Sequence, residues 1–270
     1  MTTRRKKNAT RSVLVLPDLH IPHHDPAALD CVLQAYNYLK PQEVVVLGDW
    51  LDCEQFSSHP KSSFAEVRAH RFFEDELEPC IDVLNKLQKF GNKLVFVEGN
   101  HEQRIERWSL SLGNRLGQDI YKMISPYRNL AEGRKKFVWV PYKSQLAHYE
   151  IAPDLWALHG WSFAKSAARI HQDRAVSVSV VYGHTHRQQS EARRDPATGR
   201  VLKAWSPGCL SKLQPLYAQN TPTSWVQGFS IVYVGKDTWT DYTVTIQQGT
   251  CVLPDGKLIS ARGSHGSRKD

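Results

Sequence analysis

Short apolar runs that end abruptly on polar residues recur along the chain. Val13 to Leu16 stops at Pro17 and Asp18, Val44 to Leu47 at Gly48 and Asp49, and Leu94 to Val97 leads into Gly99 and Asn100. Runs of this length, bounded by turn formers, predict buried strands. Between the first two, "HDPAALDCVLQAYNYLK" predicts a helix. Asp25 can accept hydrogen bonds from its first turn, Pro26 loses nothing there, and Leu29, Val32, Leu33, Tyr36 and Leu39 recur on one face. Phe64 to Phe90 reads as mostly helical, with Pro79 kinking or dividing it. Strands alternating with helical crossovers predict a parallel sheet, and in such sheets functional groups collect beyond the carboxyl ends of the strands.

Residues 102–150 fit this alternation poorly, because their helical pieces are interrupted by Gly and Pro. They read as a mostly helical insertion or cap near a site. Further strands are predicted at Leu155 to Leu158, Val176 to Tyr182, Val201 to Trp205, Phe229 to Val234 and Tyr242 to Ile246. Thr and Tyr interleaved with short turns give the last few the pattern of an antiparallel or mixed second sheet. The expected organisation is a flexible arm over 1–11, one α/β domain over 12–250, and a C-terminal extension over 251–270 that ends in the Gly- and Ser-rich "SARGSHGSRKD".

Composition fits this outline: 270 residues, 41% of them hydrophobic, can bury the core of one elaborated α/β domain. No apolar run approaches the roughly 18 residues of a membrane span, and the basic start lacks a signal peptide's apolar segment, so a soluble cytoplasmic protein is expected. Cys31, Cys53, Cys80, Cys209 and Cys251 are widely spaced with no CxxC, which predicts reduced thiols. Of the formal charge of +8, residues 1–11 hold five and 262–270 a net two, leaving one for the body. The basic tails can lend weak, salt-sensitive attraction to nucleic acid, or they are simply solvated ends.

The strand ends carry the candidate chemistry. "PDLH" supplies Asp18 and His20, "LGDWLD" Asp49 and Asp52, and "EGNHE" Asn100 and His101, while "WALHG" adds His159 and "VYGHTH" adds His184 and His186. Taken singly, Asp18 would pass for a cap and His159 for a satisfied core histidine. Together, mixed oxygen and imidazole donors suit Mn, Fe, Zn, Ni or Co better than Ca or Cu. The donors outnumber what one tetrahedral ion needs, so two ions sharing a carboxylate are the economical reading. His23, His24 and Asp25 are weaker candidates, since Asp25 already serves as a helix cap. Arg104 and Arg107 follow at helical spacing, and Arg104 is a candidate for binding a substrate phosphate. Trp50, Trp161 and Phe163 lie close enough to these groups either to stack on a base or to serve as packing.

In the order DxH, GDxxD, GNHE, H, GHxH, the chain resembles the calcineurin-like metallophosphoesterase superfamily, from residue 13 to about 210. The resemblance implies a four-layer α/β/β/α sandwich with a dimetal site at the strand ends. Asp18, His20, Asp49 and His186 would hold the first metal. Asp49 would bridge to a second held by Asn100, His159 and His184. His101, positioned by Asp52, would be a catalytic non-ligand, protonating the leaving group while a metal-activated hydroxide attacks phosphorus. Mn²⁺ heads the candidate metals. "SPG" at Ser206 to Gly208 resembles a turn that follows the last histidines in such enzymes.

The protein serine/threonine phosphatases of the superfamily continue their second element as GDxVDRG, whereas this chain reads "GDWLDCE". That departure turns the expected substrate from phosphoproteins toward phosphodiesters, nucleic acid first among them. The alternatives are a phosphomonoesterase acting on a nucleotide or phosphoprotein, and a non-catalytic metal-binding scaffold. The sequence leaves the oligomeric state open.

Overall fold

Four strands, β1 (Arg11–Leu16), β2 (Glu43–Val46), β3 (Lys93–Val97) and β4 (Phe137–Val140), pair side by side in parallel. The structure, a computed structural model, describes residues 10–57, 71–113, 115–215 and 222–262. On the other side of β1 lie β10 (Gln227–Val234) and then β11 (Trp239–Ile246), both paired antiparallel. A second sheet takes the order β5 (His148–Ala152), β6 (Leu155–Leu158), β7 (Ser179–Tyr182), β9 (Val201–Pro207), β8 (Gln188–Arg194). Its three inner strands are parallel and its two edges antiparallel.

This topology corrects two expectations. The strands over Phe229 to Val234 and Tyr242 to Ile246 extend the first sheet rather than the second. β10 lies between β1 and β11 and is buried on both faces through most of its length, as an inner strand must be. Nor is the expected mostly helical segment 102–150 only an insertion or cap, since its second part supplies a strand to each sheet. Helices α3 (Gln103–Ser111), α4 (Arg115–Ile124) and α5 (Pro126–Ala131) occupy its first part, after which β4 joins the first sheet and β5 the second. Trp139 of β4 stacks on Phe96 of β3 at 4.9 Å, so the aromatic face of this strand completes the sheet's packing.

The predicted first helix is α1 (Pro26–Leu39), with Asp25 accepting from the N–H groups of Ala27 and Ala28 at 2.8 and 3.0 Å. In the second helical region a π-helical turn over Phe72–Leu77 runs into α2 (Glu78–Leu87). Pro79 sits in the first turn of α2, where its missing N–H costs nothing, so it marks the change of helix type rather than a break within α2. The part of this prediction over 58–70, the basic residues of 1–9 and the tail from 263 lie outside the described residues.

Strand alternation distributes the core. Val13, Val15, Val45, Leu47, Val95 and Val97 meet Leu155, Ala157, Val181 and Trp205 of the second sheet. The alternate residues Leu14, Leu16, Val44, Val46, Leu94 and Phe96 pack with Val32 and Tyr36 of α1 and Leu84 of α2. Across the second sheet, Leu158, Val180, Tyr182 and Ala204 pack with α6 (Ala167–Ala175). The fold is therefore α/β, with two mixed sheets and helical elements. The C-terminal extension contains a small antiparallel pair, β12 (Thr250–Val252) with β13 (Leu258–Ser260), whose Cys251, Leu253 and Ile259 join the α1 side of the core. No helix among the described residues is long and apolar enough to cross a membrane.

Candidate metal centre

The carboxyl ends of β1, β2 and β3 in one sheet and of β6 and β7 in the other bring their polar residues to a common rim. Three groups of side chains there could hold an ion: Asp18, His20 and His186; Asp49, His159 and His184; and His20, Asp52 and His101. His20 Nε2 lies 3.0 Å from His186 Nε2, which is 3.3 Å from Asp18 Oδ1. In the second group His159 Nε2 lies 3.2 Å from His184 Nδ1, 3.3 Å from Asp49 Oδ2 and 3.0 Å from Asn100 Oδ1. The same Asp49 oxygen is 3.9 Å from His20 Nε2 and 3.8 Å from His101 Nε2, so it links the groups.

Local backbone geometry makes this crowding possible. His20, Asp49, His184 and His186 all have φ between 51° and 68°, a left-handed conformation that non-glycine residues adopt at a cost. Two glycines permit close approach. A Cβ on Gly99 would lie 2.2 Å from Asp49 Oδ1, and one on Gly183 would lie 2.4 Å from Asp18 Oδ2. Asp18 is further held by the His184 N–H, which donates to its carboxylate oxygens at 2.8 and 3.0 Å.

The buried carboxylate of Glu102 organises the turn after β2, a role that the sequence analysis does not assign. Its two oxygens accept the backbone N–H groups of Gly99, Asp49, Trp50 and Leu51 at 2.7 to 3.0 Å. Its place inside "GNHE" was the available signal, but partners that are main-chain N–H groups leave no trace in side-chain identity.

The donor set fits cations. His159 Nδ1 donates to the Leu47 carbonyl at 2.7 Å, and His20 Nδ1 faces the Asp52 carboxylate at 3.0 Å. Each ring therefore turns its Nε2 inward, where it meets other acceptors. Convergent lone pairs repel unless a cation or a proton lies among them. Burial works against charge on His159, but Asp49, aided by Asp18, draws its pKa up to about 9. Burial alone would raise the Asp49 carboxyl, yet His159 and His101 hold it well below the usual carboxylate range. Burial, with neighbouring histidines, lowers His20 to about 4 and His184 to about 3, which favours the neutral form that binds cations.

His101 Nδ1 faces the main-chain carbonyl of Asp52 at 2.7 Å and its carboxylate at 3.4 Å. The Asp52 carboxylate lies closer to His20 than to His101, so it orients a ligand candidate as well. Arg104 donates to the Asp52 carbonyl at 2.9 Å, pairs with Glu54 at 3.3 Å and places a guanidinium nitrogen 3.0 Å from His101 Nε2. Asp25 is occupied as a cap, and His23 lies 3.7 Å from Asp52, behind His20. Trp50 is buried and donates to the Pro17 carbonyl at 3.0 Å, which makes it packing. Trp161 packs on His171 at 4.1 Å. Phe163 stays exposed with its ring 3.9 Å from that of His184, and Trp225, for which the sequence offered no signal, lies 4.2 Å from His186. All five cysteines are free and buried.

Comparison with known proteins agrees with this geometry. The family model described as calcineurin-like phosphoesterase matches residues 11–207. The chain is 26% identical to the Gene 54 protein of Mycobacterium phage L5 over 235 residues, covering 83% of this chain and 89% of that one. It is likewise 26% identical to the Gene 54 protein of Mycobacterium phage D29 over 239 residues, with the same coverage. Among solved structures it is similar to YfcE, a phosphoesterase from E. coli, at 17% identity and a TM-score of 0.40, covering 93% of this chain and 98% of that one. With the family model spanning most of the chain and its His and Asp clusters gathered at one rim, the chain belongs to the calcineurin-like phosphoesterase family.

Proposed function

We propose that the chain is a phosphodiesterase dependent on two divalent transition-metal ions, with Mn²⁺ the first candidate and Fe, Zn, Ni or Co the others. Nucleic acid or nucleotide diesters are the proposed substrates. The observation that carries this reading is the placement of Asp49 Oδ2, within 3.9 Å of nitrogens from His20, His101 and His159. One carboxylate oxygen can thereby serve two ion sites. Asp18, His20, Asp49 and His186 form the first, and Asp49, Asn100, His159 and His184 the second. Two ions held there supply Lewis acidity to polarise the ester and to acidify water.

The remaining steps belong to the chain's own residues. Asn100 contributes a neutral oxygen, sparing the centre another negative charge. Asp52, through its carbonyl, holds His101 with Nε2 turned toward the rim. Burial disfavours charge on His101, but Asp49 and Asp52 prevail and raise its pKa, which favours the protonated form that a general acid needs. Nε2–H then passes its proton to the departing alkoxide. Arg104, whose guanidinium donates to a bare His101 Nε2 in this structure, turns to a phosphoryl oxygen when an ester enters, and this frees Nε2 to carry the proton.

The four-layer α/β/β/α sandwich belongs to the same reading, supported by the three core clusters that separate helix from sheet and sheet from sheet. Helices α3 to α5 act as the cap beside the entrance. The free thiols suit a reducing compartment such as the cytoplasm.

The test is a parallel assay, with Mn²⁺ restored after chelation, of bis-p-nitrophenyl phosphate, p-nitrophenyl phosphate, cyclic nucleotides, single-stranded and duplex DNA, and RNA. His101→Ala should lower turnover by about 10²–10⁴-fold with metal content retained. Equal rates for wild type and variant on every substrate would remove the acid role, and no turnover by wild type would remove the hydrolytic reading.

A further inference from the structure

We infer that Phe163 is a stacking platform for a planar base carried by the phosphate ester, so that the site selects nucleotidyl substrates by their base as well as by their phosphate. This inference rests on the phosphoesterase reading and deepens it.

Phe163 is 68% exposed, although its ring lies 3.9 Å from His184 at the edge of the second ion group. Exposed apolar side chains are ordinary when scattered over a surface. This one sits in a segment held at several points. The Tyr142 hydroxyl donates to the Gly160 carbonyl at 3.1 Å, and the Trp161 N–H donates to His171 Nε2 at 3.2 Å. Arg187, one residue beyond His186, donates to the carbonyls of Phe163 and Ala164 at 2.7 and 2.9 Å. The segment is thus tied both to β4's trailing turn and to the turn that carries the ligand histidines. A braced backbone lowers the ordering cost of covering the ring with a second one.

The surroundings narrow what can cover it. The ring is one side chain away from the convergent donors of His159, His184 and Asp49, so the substituent of a phosphate ester held there can reach Phe163. Every nucleobase has a π-face that stacks on an aromatic ring. Trp225 lies beside His186 at 4.2 Å with its ring nearly perpendicular to the imidazole and is half-buried, so Phe163 is the more exposed of the two rings.

The experiment compares equilibrium binding of two ligands by the Mn²⁺-loaded protein, using calorimetry. The ligands are the 5′-phosphonate analogues of thymidine and of 2-deoxyribose, which share the anionic group and sugar and differ in the base. Wild type should bind the thymidine analogue about tenfold more tightly. In F163A the ratio of the two affinities should fall to near one, and in F163W it should be restored. A wild-type ratio of one, or a ratio that survives in F163A, overturns the inference. Because binding is read without turnover, absence of ester cleavage in the separate assay would count against the hydrolytic reading alone. A short oligothymidylate provides the second arm. Dependence on Phe163 in both arms assigns the platform to polymer ends as well as free nucleotides, and dependence in the monomer alone assigns it to free nucleotides.

Discussion

The carboxylate of Glu102 holds the backbone N–H of Asp49 at 3.0 Å, so the residue that links both ion groups is positioned from the chain segment after β3. The same carboxylate accepts three further backbone N–H groups. E102A leaves all four buried donors without their acceptor. Each buried polar group left unpaired costs about 1–3 kcal/mol, so a loss of at least about 3 kcal/mol is expected. Urea unfolding measures it, and ion content after dialysis should fall as Asp49 shifts. Unchanged stability would show that Glu102 is dispensable to this turn.

Asp49 sits between the groups, so Asp49→Asn should reduce ion binding more than removal of any one histidine does. Wild type should retain two ions per chain after dialysis and lose thermal stability on chelation. Binding at a hundredfold excess over Kd is worth about 2.7 kcal/mol, a shift that melting curves resolve. In D49N the added ion should give little of that shift. Elemental analysis of the same samples checks the stoichiometry.

Gly183 is required by a close approach. A methyl group there would lie 2.4 Å from Asp18 Oδ2 and must displace a carboxylate that also accepts the His184 N–H. G183A should cost about 1–3 kcal/mol, as overpacking does. It should also weaken ion binding at the group of Asp18, His20 and His186 more than at the other. Titration with Mn²⁺ followed by electron paramagnetic resonance can separate the two sites.

Glu76, which is itself in none of the three groups, supplies a further pH dependence. Burial, with Asp52 adding to it, raises its pKa to about 7, although the Cys53 N–H and Gln55 oppose the rise. The unfolded value lies lower, so the folded chain binds a proton that the unfolded chain gives up. The associated stability is fully present below the unfolded pKa of about 4.5 and is lost as pH rises through about 7. It amounts to at most a few kcal/mol. E76Q keeps the shape without the titration, so its stability should gain on that of wild type between pH 5 and 8. Parallel slopes for the two proteins in denaturant unfolding across that range would contradict this assignment.

Much of the site could be read in advance because its residues lie where strands stop. Asp18, Asp49, Asn100, His159 and His184 each follow a short apolar run within a few residues, and a strand's end is marked by composition. Asp25 was identified as a cap for the same local reason, since its partners are two and three residues away. Glu102 was not, because its significance depends on β2 and β3 being neighbours. Trp50 and Phe163 looked alike in sequence, each close to a ligand candidate. One proved to be buried against Pro17 and the other to stand at the rim, a difference set by the layer each turn faces.

The sheet assignments divide along the same line. Alternation over Phe229 to Val234 and Tyr242 to Ile246 identified strands but not their neighbours, and these strands close the first sheet beside β1. Strand and helix character and the caps come from interactions within a few residues, and the His and Asp donors at the strand ends are visible as side-chain identities, so the amino-acid order alone determined them. Partner strands, the distances from Asp49 to His20, His101 and His159 and the exposure of one aromatic ring depend on contacts between segments far apart in the chain. Packing of the whole core sets those contacts, and only the tertiary structure decided them.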